Sequence, residues 1–212
     1  MKTLTTSRRR TRWGTGIAAL IAGAALALTS SPASAATIDV DYDVNGTTQI
    51  EKTGSTITLG PAVMHSFVED DGSFTGDMVL PGTRTEFKVI GFIPVTADVN
   101  FTPTKPTTGQ LTRVGRQRVL TSESSYYVRL SNIKASIFPL FAGQNCRTVD
   151  PVVIPANTPE GEFFDIAAGG RLVGEYTLGE FENCGLNTWL INLLVPGGGN
   201  TIELNLTNGR LG

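Results

Sequence analysis

Apolar and polar residues alternate with a period of two along much of the chain after residue 36. In residues 38–44, four apolar side chains alternate with three aspartates. Successive side chains of a β-strand point to opposite faces, so this alternation predicts a strand with one buried and one solvated face. The next dipeptide, Asn45-Gly46, favours the positive φ angles of a tight turn. The region is therefore predicted to begin with a strand and a hairpin.

Runs rich in β-branched and aromatic residues predict further strands, and no segment shows a clear helical start and stop. Asp70-Asp71-Gly72 marks a turn between two of these runs. The run at 188–195 is ambiguous, because its Leu-Ile-Asn-Leu-Leu also fits one buried turn of helix. The strands predicted after the first are 55–59, 62–68, 73–80, 85–90, 95–101, 110–114, 116–121, 126–133, 151–154, 162–166, 171–178, 188–195 and 201–207.

Residues 102–109, rich in proline and threonine, are predicted to form a connection, because proline cannot join a central strand. The fold class predicted overall is all-β, an antiparallel β-sandwich. Two halves, 36–102 and 110–212, share two similar segments in the same order, which suggests an internally duplicated pair of β-halves. Chance similarity between threonine-rich strands is the alternative. The matching segments are 96–102 with 201–207, and 76–80 with 174–178.

The first 35 residues predict a secretory signal peptide. Five basic residues and no acidic residue precede an apolar run at 16–28, and Ala-Ser-Ala at 33–35 fits a cleavage site. The apolar run is short for a bilayer span, so an uncleaved anchor is the weaker alternative. Residues 36–212 are predicted to form an all-β domain that is secreted, and is extracellular or associated with the cell wall.

The charge of the predicted mature chain limits its partners. All nineteen acidic residues remain after residue 35, but only twelve of the seventeen basic ones, which leaves a net charge of about −7. Such a chain lacks the basic face that phosphate backbones require, and anionic membrane surfaces repel it. We therefore expect no nucleic-acid partner. Because the apolar run at 16–28 is short for a bilayer span and is predicted to leave with the signal peptide, we do not expect an integral membrane protein after signal cleavage.

Two cysteines, Cys146 and Cys184, lie in the predicted mature chain. An even number of cysteines in a secreted protein predicts a disulfide. A disulfide between residues 146 and 184 would close a loop, and the chain-entropy estimate for this closure is roughly 4 kcal/mol of added folding stability. Free thiols or half of a metal site are the alternatives, and the presence of a single histidine argues against zinc.

The sequence offers few groups for nucleophilic catalysis. His65 is the only imidazole that could activate a serine. Ser131 to Lys134 matches S-x-x-K and Lys52 to Gly54 matches K-T-G, but their order is reversed relative to penicillin-recognising enzymes and the third motif is missing. We therefore predict no catalytic residue.

A calcium loop is a further candidate. Asp41, Asp43 and Asn45 followed by Gly46 match its first half, but Lys52 stands where the bidentate glutamate belongs. Outward-facing aspartates on a strand explain the same residues more simply. We therefore predict no metal site and no cofactor.

Two other features keep binding and catalytic alternatives open. Residues 137–141 and 189–195 are strongly apolar and could form core, line an apolar ligand cavity, or offer a patch to a protein or lipid. Paired carboxylates could support glycoside hydrolysis, although the predicted mature chain has few aromatic residues for a sugar site. The candidate carboxylates are Glu160, Glu162, Glu175, Glu180 and Glu182.

Four short segments carry a resemblance to known proteins. Tyr42-Asp-Val-Asn-Gly46, Cys146-Arg-Thr148 before Pro151, Cys184-Gly-Leu186 and Asn200-Thr201 resemble a group of exported all-β proteins from high-GC Gram-positive (actinobacterial) bacteria. The resemblance covers most of the predicted mature chain and implies a fold. No function is established for that group, so no active-site residue carries over.

The function predicted from the sequence is that of an exported, non-catalytic binding or structural protein of the cell envelope or extracellular space. Its partner would be an extracellular or cell-wall protein, or an apolar small molecule. One alternative is a carrier of a small apolar or lipid ligand in the interior of a β-barrel or sandwich. A second alternative is a carboxylate-based hydrolase.

Overall fold

The structure is a computed structural model that describes residues 37–89, 92–136, 138–139 and 145–212. The predicted signal peptide lies outside the described residues. Within these four ranges, no helix is both long and apolar enough to cross a membrane.

The first half of the described chain consists of long strands that follow the alternation of apolar and polar residues. A 3-10 helix over Glu51–Thr53 and a turn that ends at Gly72 connect the first three strands. The strands are β1 (Ile38–Ile50), β2 (Ser55–Val68), β3 (Ser73–Met78), β4 (Thr83–Val89), β5 (Ile93–Val114) and β6 (Gln117–Ala135).

The second half contains shorter strands and one helix. A second 3-10 helix over Gly185–Asn187 leads directly into the α-helix. The elements are β7 (Phe138–Pro139), β8 (Arg147–Thr148), β9 (Val152–Pro155), β10 (Gly169–Leu178), β11 (Phe181–Glu182), α1 (Thr188–Leu194) and β12 (Gly197–Leu211).

The twelve described strands form one antiparallel sheet. Its main order is β10-β12-β1-β2-β3-β5-β6-β8-β11, while β4 pairs with β5, and β7 and β9 pair with β6. The sheet folds over so that its two parts face each other. A small void between the parts is lined by Leu59 of β2 and Ile202 of β12 together with Tyr126 of β6. The predicted all-β, sandwich-like fold is confirmed.

Inward-pointing residues of both parts form a shared apolar core. Val40 and Val44 of β1 are fully buried, as the period-two pattern requires. The Tyr42 ring meets Phe164 edge-on at 5.7 Å between ring centroids. The Tyr126 hydroxyl donates a hydrogen bond to the main-chain oxygen of Met78 at 3.3 Å. The core therefore joins strands that are not neighbours in the sheet.

The hairpin predicted at Asn45-Gly46 is wrong, because both residues lie inside β1. The chain reverses later, after the 3-10 helix, at Gly54 with φ of 62°. Gly46 is needed for a different reason. A Cβ atom at this position would lie 2.1 Å from the main-chain oxygen of Glu203 on β12, so the close approach of the two strands requires glycine.

The connection predicted at 102–109 is also wrong, because β5 continues through it and pairs with β6. Pro103 and Pro106 are tolerated there for two physical reasons. The register between β5 and β6 shifts at two irregularities within this stretch. In addition, β4 pairs with β5 only up to Val99 and β3 only from Thr107, so between these two residues, where both prolines lie, β6 is the one neighbour of β5 among the described strands.

Several smaller expectations also changed. The predicted strands 55–59 and 62–68 form the single strand β2. Residues 162–164 are irregular rather than a strand and lead into a turn at 166–168, where the Asp165 carboxylate accepts hydrogen bonds from the main-chain N–H groups of Ala167 and Ala168. The ambiguous run at 188–195 is the helix α1 rather than a strand.

The segments that suggested duplication are strands with inward apolar residues. Residues 96–102 lie in β5 beside β6, with β4 on the other side as far as Val99, whereas residues 201–207 lie in β12 between β1 and β10. Strands from both predicted halves are neighbours in the sheet, since β12 pairs with β1. The duplication itself stays a prediction.

Buried tyrosines make the stability of the fold sensitive to alkaline pH. Burial raises the pKa of Tyr42 and of Tyr126 to about 12, and the charge of Asp165 adds to the effect on Tyr42. The unfolded chain releases these protons near pH 10, which is the ordinary tyrosine value. Between about pH 10 and 12 the unfolded state therefore binds fewer protons, and the free energy of unfolding is expected to fall as the pH rises.

Urea unfolding at a series of alkaline pH values measures this loss. Tyr42→Phe removes one of the titrating groups and is expected to flatten the decline above about pH 10. An identical pH profile for Tyr42→Phe and the unmodified protein would contradict the assignment.

Candidate functional site

An apolar cavity of about 260 Å³ lies between the two parts of the folded sheet and the helix α1. This volume lies just below the range of roughly 300–1,000 Å³ found for small-molecule pockets, and an engineered cavity of about 150 Å³ is enough to bind benzene. Its lining comes from β1, β2, β4, β5, β6, β9, β10, β11 and the segment around α1. Representative lining residues are Ile50, Ile57, Phe87, Val95, Phe101, Leu130, Ile154, Leu178 and Phe181.

Small side chains on neighbouring strands explain why the space is unfilled. Thr85 of β4 lies directly opposite Ala97 of β5, and Ala135 of β6 lies opposite Val95 of β5. All four residues line the cavity. Well-packed interiors leave few voids larger than a water molecule, so a cavity of this size is a specific feature of this part of the core.

Helix α1 covers one side of the cavity. Leu190, Ile191 and Leu194 line it, spaced as one face of a helix. On the opposite face, Trp189 is 68% exposed and Leu193 is 60% exposed. The apolar segment 189–195, for which cavity lining was one of the sequence alternatives, therefore contributes both to the cavity wall and to the protein surface.

Two structural ties hold α1 in place. The Asn192 side chain accepts a hydrogen bond from the main-chain N–H of Phe181 at 2.7 Å and donates one to its main-chain oxygen at 3.0 Å. The predicted disulfide between Cys146 and Cys184 is present, and both cysteines are fully buried. Cys184 immediately precedes the 3-10 helix that leads into α1. The disulfide therefore anchors the entry to the covering helix.

The polar groups at the cavity are uncharged. The Thr48 and Tyr176 hydroxyls form a hydrogen bond at 2.7 Å, and those of Thr53 and Ser55 form another at 2.7 Å. Burial raises the pKa of Tyr176, which keeps this phenol neutral. No charged side chain is found among the described lining residues. The undescribed segments after residue 37, which are 90–91, 137 and 140–144, contain no charged residue in the sequence.

The second apolar segment, residues 137–141, lies mostly outside the described residues. Phe138–Pro139 forms β7, which pairs with the end of β6 at Lys134 and Ala135.

His65 lies on β2 and is not among the residues that line the cavity. Its Nδ1 is 2.6 Å from an Asp41 carboxylate oxygen, and its side chain is exposed. The S-x-x-K residues Ser131 and Lys134 lie on β6. Lys52 lies in the 3-10 helix after β1 and donates a hydrogen bond to a main-chain oxygen. The structure places these motifs on separate elements.

The aspartates of the calcium-like sequence lie on the extended strand β1. Asp41 pairs with His65, and the Asp43 carboxylate binds Asn208 Nδ2 and Arg210 Nη1, each at 2.9 Å. The hydrogen bond from Asn208 and then that from Arg210 lower the pKa of Asp43. In the part of the chain that the structure describes, no group of three or more histidine, cysteine, aspartate or glutamate residues could hold a metal ion.

Two of the candidate carboxylates form ion pairs at the surface. Glu162 binds Arg171 with an oxygen–nitrogen distance of 2.6 Å, and this hydrogen bond lowers the pKa of Glu162. Arg171 also contacts Glu203, and Glu182 binds Arg147 at 3.2 Å. None of the five candidates is among the cavity-lining residues. The other three, which are exposed, are Glu160, Glu175 and Glu180.

Comparison of the chain with protein-family models, with curated proteins and with solved structures finds no match.

Proposed function

We propose that this protein is exported, is non-catalytic, and binds a small apolar molecule in its interior cavity. The observation that carries the proposal is the apolar cavity of about 260 Å³ beneath α1. Its lining includes Ile57 and Phe87 from the strands and Ile191 from the helix, a surface that favours the transfer of an apolar molecule out of water.

Two further features support this proposal. The disulfide suits an oxidising compartment outside the cytoplasm, in agreement with the predicted signal peptide. The exposed Trp189 and Leu193 place apolar surface on the helix that also lines the cavity. A carrier of an apolar ligand accounts for both the cavity and the exposed apolar side chains of the helix that covers it. A purely structural role does not account for the cavity.

Binding of the fluorescent apolar probe N-phenylnaphthylamine tests the proposal. Trp189 is the only tryptophan that remains after residue 35, so it is the one tryptophan donor for energy transfer to a probe bound under α1. We expect saturable quenching of Trp189 emission together with a rise in probe emission. The absence of both in the folded mature protein would overturn the proposal.

A variant with a filled cavity separates interior binding from adsorption to the surface. Ala97 is buried on β5 and lines the cavity, so the ring of Ala97→Phe would occupy the ligand space. We expect probe binding at least about tenfold weaker in this variant, since tenfold corresponds to about 1.4 kcal/mol. Thr102→Phe adds the same ring at an exposed position of β5 and should bind as the unmodified protein does. Equal weakening in both variants would contradict interior binding, and a thermal melt of each verifies folding.

A further inference from the structure

One polar group at the cavity has no hydrogen-bond partner among the residues that the structure describes. The Thr85 hydroxyl is buried and makes no hydrogen bond, and Thr85 as a whole is only 5% exposed. A buried hydroxyl without a partner costs free energy, and most such groups in folded proteins are paired. The unpaired state of Thr85 therefore calls for an explanation.

Neighbouring polar side chains at the cavity do not share this property. The hydroxyl of Thr48 is bound to that of Tyr176 and to the main-chain oxygen of Thr201. The hydroxyls of Thr53 and Ser55 are bound to each other. These groups are already satisfied within the protein, so Thr85 is the one among them that offers an unused hydrogen-bonding group.

A second unpaired hydroxyl in the described chain, that of Ser66, provides a comparison. Ser66 lines a void of only about 20 Å³ between β2 and its packing partners, which is space for at most a water molecule. Thr85 lines a cavity of about 260 Å³. Of the two residues, only Thr85 lines a space large enough for an organic ligand.

We infer that the ligand carries one uncharged hydrogen-bonding group, a hydroxyl or a carbonyl, which pairs with the Thr85 hydroxyl. This inference rests on the proposed function. A rotation of about 120° around the Cα–Cβ bond moves the threonine hydroxyl to another staggered position, so the hydroxyl can be directed to a ligand group in the cavity. The uncharged lining excludes an ionised group at this depth, because an unpaired buried charge carries a large desolvation cost.

The test compares toluene with phenol, two molecules of similar shape that differ by a methyl and a hydroxyl group. Binding of each to the unmodified mature protein and to Thr85→Val is measured by calorimetry at neutral pH, where phenol is uncharged. Thr85→Val keeps the shape of the side chain and removes the hydroxyl. We expect phenol to bind roughly tenfold more weakly to the variant, while toluene binding is unchanged or slightly tighter.

A thermal melt without ligand gives a second readout. Removing an unpaired buried hydroxyl should raise the Tm of Thr85→Val. A lower Tm would mean that the hydroxyl is satisfied within the protein, and would overturn the inference. Ser66→Ala removes the comparison hydroxyl and should leave the affinities for toluene and phenol unchanged.

The outcomes distinguish the two proposals. If toluene binds and the affinity for phenol is the same in the unmodified protein and Thr85→Val, the inference is wrong and the cavity remains a purely apolar site. If Ser66→Ala weakens phenol binding as much as Thr85→Val does, the role assigned to Thr85 is also wrong. If neither molecule binds and the N-phenylnaphthylamine test fails too, the proposed function falls and the inference falls with it.

Discussion

Replacing both cysteines by alanine is expected to lower the free energy of unfolding by about 4 kcal/mol. Without the disulfide, the unfolded chain recovers the conformational entropy that closing the loop had removed. The disulfide joins Cys146 to Cys184, which are 38 residues apart. Alanine is the appropriate replacement since both positions are fully buried, where a serine hydroxyl would add a desolvation cost. Urea unfolding of the double variant and of the unmodified protein measures the difference.

The same variant should also lose ligand affinity. Cys184 anchors the chain just before the helix that covers the cavity, and the Asn192 contacts with Phe181 are the other tie described for this helix. We expect weaker binding of N-phenylnaphthylamine even under conditions where the variant is folded. A stability loss below about 1 kcal/mol, well under the chain-entropy estimate, would contradict the role of the disulfide.

The second large effect is expected at Gly46. Gly46→Ala should destabilise the protein by about 3 kcal/mol, the upper end of the range for overpacking a well-packed interior. The added Cβ would lie 2.1 Å from the main-chain oxygen of Glu203, and backbone cannot move aside as a flexible side chain can. Strands β1 and β12 would have to separate, which weakens their hydrogen bonds.

Gly179→Ala is the matched control. An added Cβ at Gly179 meets no atom within 4 Å, so this change should be neutral, or stabilising by up to about 1 kcal/mol through the unfolded state. Thermal and urea unfolding of the two variants are compared under the same conditions. Equal stability of Gly46→Ala and Gly179→Ala would show that β1 and β12 have room at Gly46.

The alternation of apolar and polar residues was sufficient to predict the fold class. It correctly placed residues 38–44 and 201–207 on strands, because one face of each strand is buried and the other is solvated. The residue composition was misleading at one position, because glycine is favoured both in turns and where two strands approach closely. Asn45-Gly46 has the composition of a turn, but Gly46 is required by the spacing between strands, which is a property of the tertiary structure.

Prolines and short apolar runs account for most of the other differences. Residues 102–109 remain in a strand because of local irregularities and a missing neighbour, and neither can be read from composition. The run at 188–195 is apolar on nearly every side, so its periodicity cannot separate a buried strand from a helix. The tertiary structure distinguishes the two, because one face of the helix lines the cavity and the other face lies at the protein surface.

The candidate site was the least predictable part of the molecule. For the apolar segment at 189–195, cavity lining was one alternative beside core and a surface patch, and the other lining residues come from many separate strands. Small residues such as Ala97 and Thr85 leave space only because their neighbours across the sheet do not fill it. Thr85 is one of many threonines, and its importance depends on the absence of a hydrogen-bond partner, which a sequence does not show.

The pairing of β1 with β12 has a consequence for how the chain folds during its synthesis. Val40 pairs with Leu211, so the first described strand finds one of its two neighbours at the far end of the chain. Until that end is available, β1 presents an open edge that can pair with other chains. Contacts between residues so distant in sequence also make folding slow. A chain emerging from a ribosome would therefore need protection of this edge until β12 has been synthesised.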